Sequence, residues 1–224
     1  MSYTGPTFAM RRVMRSALAL VLFATACTSG SPTDTDSFDS VRDRLHAQPT
    51  RLYIGRDASS GSITASRYTN AGWVDGTSPV QISSGELKAS ADDAGTLTLR
   101  AFEVDIDPID IPEEVFHKPA QLTDVRVKLS KPVSGQTTWT SDDDATVTLS
   151  LALDLEWAIA INDSKTPLGT QHLPPVPVDL MLTGAGDHVD ASIGLHAEGE
   201  LWNWAGLLKL TAMEMSLAAE TTGN

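Results

Sequence analysis

His188 and His196 fall on one strand-like stretch, eight residues apart, and at about 3.3 Å per residue they stand roughly 27 Å from each other. They cannot hold one metal ion directly. Carboxylates are denser: Asp105, Asp107, Asp110, Glu113 and Glu114 surround Pro108 and Pro112, and Asp142-Asp143-Asp144 forms a turn-like run. Oxygen-rich loops can hold Ca²⁺, but neither group follows the Asp-x-Asp-x-Asp-Gly spacing that wraps a chain round one ion, so both read as solvated turns. Gly184-x-Gly186 precedes a strand-like segment instead of a helix, which is not the context of a dinucleotide-binding loop. There is no Gly-x-Ser-x-Gly, His-Glu-x-x-His, Cys-x-x-Cys or phosphate-binding Gly-Lys-Ser/Thr. The remaining chemistry is aromatic. Trp202 and Trp204 project to one side of an extended chain, about 7 Å apart. They suit stacking on sugar rings, closing the mouth of a cavity or plugging a barrel end. With Trp157 they are the aromatic candidates for ligand contact. The expectation is a noncatalytic protein without a metal or cofactor.

The whole chain sets the limits of that chemistry. Its 224 residues support one well-packed domain and a short appendage. Sixteen Lys and Arg against 29 Asp and Glu give a net charge of −13, which repels nucleic acid and anionic lipid surfaces. A single Cys rules out an internal disulfide and a Cys-rich zinc site.

Met10-Arg11-Arg12-Val13-Met14-Arg15 is a positive n-region, and the next apolar run, residues 17–26, is ten residues long. That is a secretory signal pattern. The run falls short of the roughly 20 apolar residues a helical span needs. Small residues Ala24 and Ala26 precede Cys27, and Thr28-Ser29-Gly30-Ser31-Pro32 follows. The stretch resembles the lipobox of bacterial lipoproteins, with Ala24 where that family usually has Leu. The resemblance covers Met10 to about Pro32. It implies a signal peptide over residues 1–26, cleavage before Cys27, and acylation of Cys27 as the membrane anchor. Thr28 in place of Asp after the Cys implies the outer membrane in a Gram-negative cell. Met10 also makes a normal start, with residues 1–9 as an upstream extension. Removing Arg11, Arg12 and Arg15 with the signal takes the charge from −13 to −16.

Residues 28–36 are Ser, Thr, Gly, Pro and Asp, too polar to offset the entropy of ordering, and read as a flexible tether. Phe38, Val41 and Leu45 predict a short helix with Ser37 as N-cap, ending before Pro49. This completes an anchor and tether segment over residues 27–50, followed by a single β domain over residues 51–224. Gly and Ser dominate residues 55–78, where short strands and loops are expected around Ile63 to Tyr68. Beyond residue 80 the period is two. Val147, Leu149, Leu151, Leu153, Leu155, Trp157, Ile159 and Ile161 occupy every odd position, with small or polar residues between them. One strand of that length would run roughly 50 Å and must curl or bend.

Two hairpins bring apolar faces together. Pairing Thr183 with His188 sets Leu182 against Val189 and Leu180 against Ala191. A three-residue loop at Asp93-Ala94-Gly95 sets Ala91 against Leu97, Ala89 against Leu99 and Leu87 against Ala101. The apolar phase jumps between Leu99 and Phe102, and again between Leu210 and Met213, which predicts β-bulges. The fold expected is all-β: an antiparallel barrel, half-barrel or sandwich of about eight strands.

Three functions fit. The first is a membrane-anchored envelope lipoprotein whose curved sheet encloses a lipid or other apolar ligand. The second is an envelope interaction module that binds protein or glycan through loops such as Gly72-Trp73-Val74-Asp75-Gly76 and the Trp202 region. The third is a small outer-membrane β-barrel, which the 6% aromatic content and the Thr-Thr-Gly-Asn end disfavour. An internal cavity separates the first from the second.

Overall fold

The computed structural model describes residues 38–162, 164–204 and 208–221. Cys27, the signal segment and the tether lie outside the described residues. The chain enters on helix α1 (Val41–Ala47) and strand β1 (Thr50–Ile54). It continues through β2 (Ser60–Thr69), β3 (Gly72–Val80), β4 (Ile82–Ala91), β5 (Thr96–Ile106) and β6 (Ile109–Asp110) to helix α2 (Glu113–Phe116). Then follow β7 (Ala120–Leu129), β8 (Val133–Gln136), β9 (Thr138–Trp139), β10 (Ala145–Leu151), β11 (Leu153–Ile161) and β12 (Ser164–His172). The last three are β13 (Val176–Ala185), β14 (His188–Trp204) and β15 (Leu208–Glu220). All pairings are antiparallel, and the order along the sheet is β12-β11-β7-β5-β4-β1-β15-β14-β13-β10-β9.

The sheet is open, not a closed barrel, and it curls over a continuous core. Inward residues of β2, β5, β7, β11 and β15 face one another, as Ile63, Val127, Leu155 and Met213 show by lining one internal void. At one end β8 pairs with β5 and β9 with β10, so residues 133–139 link β5, inside the sheet, to β10 beside its β9 margin. The opposite end is covered by α2, where Arg67 donates to the Val115 and Phe116 carbonyls and stacks 5.0 Å over the Phe116 ring. Gly76 is required there, because a Cβ on it would lie 2.6 Å from Val115 Cγ2. The free margin β12 carries Lys165 and Pro167 and is almost wholly exposed, which blunts an edge against further pairing. Among the described residues no helix is long and apolar enough to cross a membrane.

Among the described residues fifteen strand segments replace the expected eight, partly because the long alternating run over residues 145–161 changes partners. Every odd residue from Val147 to Ile159 is buried, but the chain divides at Ala152: β10 pairs with β13, whereas β11 pairs with β7 and β12. Both predicted bulges occur. Arg100 is the extra residue between the Ala89–Leu99 and Lys88–Ala101 pairs, which moves Leu87 opposite Phe102 instead of Ala101. Thr211 is the extra residue in β15 between Leu210 and Ala212.

The β13–β14 hairpin corrects the sequence reading by two residues. Ala185 pairs with His188 and Thr183 with Asp190, leaving a two-residue turn at Gly186-Asp187. Gly186 has φ 58°, the left-handed conformation such turns require. A shift of two keeps every side chain on its face, so Leu182 meets Ala191 and Leu180 meets Ile193. The helix also begins later than expected. Its N-cap is Ser40, not Ser37, and Ser40 Oγ accepts from Asp43 N–H at 3.1 Å. Asp143 Oδ1 accepts the Val41 N–H at 3.0 Å, so the triple-Asp turn serves as a second cap. The Ser- and Gly-rich stretch forms a long hairpin, β2 and β3, instead of short strands and loops, because β15 gives β2 a full partner.

Asp154 fastens the β11 end of the sheet. Its carboxylate accepts from Ser130 Oγ at 2.6 Å and pairs with His172 Nδ1. The Ser130 hydrogen bond first, opposed by desolvation and aided by His172, holds the Asp154 carboxyl below its ordinary range. The native state therefore binds fewer protons here than the unfolded chain. The resulting stability is present above the ordinary aspartate pKa and is lost as pH falls through the lower native value. Asp154→Asn is expected to reduce the acid sensitivity of unfolding; identical pH profiles for variant and parent would refute this.

Candidate functional site

Among the described residues the outer face carries exposed groups available for binding. The void lined by Ile63, Leu155, Trp157 and Met215 measures about 10 Å³, room for one water at most. Trp157 is 6% exposed and sits in the core, where it lines both that void and an outer cleft. The β14 segment holding Trp202 and Trp204 pairs with Leu210 and Leu208, and their side chains lie outside the described residues.

On the β2–β3 hairpin the structure places an aromatic pair that the sequence reading assigned in part to a loop. Trp73 lies within β3, directly opposite Tyr68 of β2. Their rings meet edge to face at 5.5 Å and 66°, with Tyr68 52% and Trp73 42% exposed. Lys209 Nζ stands 4.6 Å over the Trp73 ring and also pairs with Glu200. Cross-strand polar pairs continue the same face, Ser66 with Asp75 and Thr64 with Thr77. Two aromatics and a hydroxyl-carboxylate pair on the hairpin, with a cation from the neighbouring β15, form a platform for a flat, partly polar ligand. Tyr68 gave no signal in the sequence, because its partner is fixed only by the hairpin register.

Three outer clefts lie among the described residues. One of about 640 Å³ lies between α2, β7 and β11, rimmed by Asp110, Glu113 and Gln121. A second, about 520 Å³, sits where bulges on both sides of Trp157 expose Arg126 and Glu156. Its charges are already matched: Arg126 Nε lies 2.6 Å from Asp105 and 3.1 Å from Glu103, and Lys128 pairs with Glu156. The Asp105 hydrogen bond, then the Asp105 and Glu103 charges, push the Arg126 guanidinium further above its ordinary value. The third, about 380 Å³, lies over β13, β14 and β15 beside Asp190 and Glu220.

The histidines remain apart as expected, each among carboxylates of its own: His188 Nε2 is 3.2 Å from Asp190, and His196 faces Glu198 and Glu214. The acidic residues near Pro108 do not gather round one point; Asp107 pairs with Arg56 and Asp110 accepts from Gln121. No family model and no curated protein sequence matches the chain. Fold and surface together define an open antiparallel all-β domain with an exposed aromatic platform, and no catalytic family is evident.

Proposed function

We propose that the protein is a noncatalytic lipoprotein of the bacterial cell envelope, anchored through acylated Cys27, whose β domain is an interaction module for glycan or protein. The anchor rests on the lipobox resemblance, and the observation that supports the interaction-module reading is the contrast between a core void of about 10 Å³ and an exposed Tyr68–Trp73 pair. A void of about 10 Å³ gives an enclosed acyl chain no room without opening the core, so the apolar strand faces are accounted for by packing. Exposed aromatics on a rigid hairpin contribute contact area at small entropic cost.

The test is a glycan array and an envelope-protein capture run in parallel on the parent, Tyr68→Ala and Trp73→Ala. Each variant is expected to lose tenfold or more in affinity for whatever the parent retains, with thermal unfolding little changed because both rings are exposed. Retention of parental binding by both variants would overturn the platform. A stoichiometric lipid carried through purification would restore the enclosed-ligand reading in its place.

A further inference from the structure

At the opposite end of β15 from the aromatic platform, three metal-ligating side chains converge. His188 and Asp190 are two apart on β14 and therefore share a face, and Glu220 of β15 stands directly opposite Asp190. One donor atom from each lies within 4.8 Å of the other two. At bond lengths of about 2.0–2.2 Å the donors of a tetrahedral site stand roughly 3.4 Å apart, so small rotamer adjustments suffice. Two carboxylates directly opposite across a strand pair repel. Among the described residues neither Asp190 nor Glu220 makes an ion pair with Lys or Arg, and His188 Nε2 stands 3.2 Å from Asp190.

The backbone under these side chains is fixed. Thr221, 4% exposed, accepts the Val189 N–H on its Oγ1 at 3.0 Å and donates its own N–H to the Val189 carbonyl at 2.9 Å. The same hydroxyl donates to the Asp187 carbonyl at 3.1 Å. Each donor thus adjoins a residue held by hydrogen bonds, the preorganisation a binding site needs. Asp190 and Glu220 also border the cleft of about 380 Å³, whose other walls include Met181, Thr183, Ser192 and Ala218. His196 offers a contrast on the same strand. Its two ring nitrogens face different carboxylates, Glu198 and Glu214, so no single point lies among the three.

We propose that His188, Asp190 and Glu220 form a binding site for one divalent transition-metal ion of the Zn²⁺ class, with its remaining coordination open to the adjoining cleft. An imidazole nitrogen with two carboxylate oxygens is a donor set of borderline character, suited to such ions over Ca²⁺ or Mg²⁺. Three protein ligands leave a position for water or an exogenous donor. The inference is independent of the partner-binding reading, because Tyr68 and Trp73 contribute nothing to it.

The test is calorimetric titration of Zn²⁺ into the full chain, purified without a histidine tag and carrying Cys27→Ser so that the lone thiol supplies no ligand. One ion per chain is expected, with His188→Ala, Asp190→Asn and Glu220→Gln each weakening binding at least tenfold and His196→Ala leaving it unchanged. Co²⁺ is expected to give visible absorption bands that His188→Ala abolishes. Unfolding curves of the metal-free variants establish that each is folded. No binding by the parent, equal weakening by His196→Ala, or affinity for Ca²⁺ matching that for Zn²⁺ would overturn the site.

Discussion

Leu151→Asp is expected to unfold the domain under conditions where Ser150→Asp leaves it intact. Leu151 is fully buried at the end of β10, paired with Val176, whereas its neighbour Ser150 is exposed opposite Pro177. Truncating a buried Leu to Ala costs about 2–5 kcal/mol, and a carboxylate without a partner in the same place costs more. Domains are stable by only about 5–15 kcal/mol, so Leu151→Asp consumes most or all of the margin. Ser150→Asp introduces a charge that water solvates, at under about 1 kcal/mol of strand preference. Leu151→Ala, expected to lower the midpoint of thermal unfolding by roughly 5–15 °C, keeps the comparison measurable if the Asp variant does not fold. Equal midpoints for the changes at 150 and 151 would refute the assignment of faces.

Cys27→Ser is expected to move the protein from the membrane fraction to the soluble one. Under the proposed lipoprotein reading, two long acyl chains contribute about 0.8 kcal/mol per buried methylene, on the order of 20 kcal/mol together, against a mature charge of −16 that opposes attachment to anionic lipid. No gradual effect is expected. Cell fractionation after expression in a bacterium checks it, with the parent in membranes and the variant released. A variant that stays in the membrane fraction would sink the anchor and, with it, the localisation proposed for the protein.

Alternation was the legible part of the sequence, and its limits follow from the same physics. From Val147 to Ile159 the buried face could be read directly, since each strand residue reports one side of the sheet. The partner change at Ala152 could not, because both halves keep the same phase. The β13–β14 register was legible only to within two residues, the shift that preserves faces. The bulges at Arg100 and Thr211 were legible because a one-residue insertion breaks the phase. β2 was obscure. Ser60-Gly61-Ser62 has no apolar face, and it is a strand because the distant β15 supplies its hydrogen bonds. Asp190 and Glu220 belong together for a similar reason. The pairing of β14 with β15 joins residues as far apart as Val189 and Thr221, 32 positions in sequence, and local pattern does not encode it.

The three partners of β15 bear on when the domain can fold. This strand pairs with β14, with β1 and with β2, and a hydrogen bond between Ser59 and Ala218 spans 159 positions. Until β15 has left the ribosome, β1 lacks one neighbour, β2 and β3 are an isolated hairpin of marginal stability, and the sheet cannot be completed. Such long-range pairing makes folding slow, since loop closure must precede any gain from contact. A polypeptide exported in extended form through a narrow translocation pore benefits from that delay. Under the proposed envelope reading, that order of synthesis would keep the chain threadable, and the arrival of β15 on the far side would commit it to the native state.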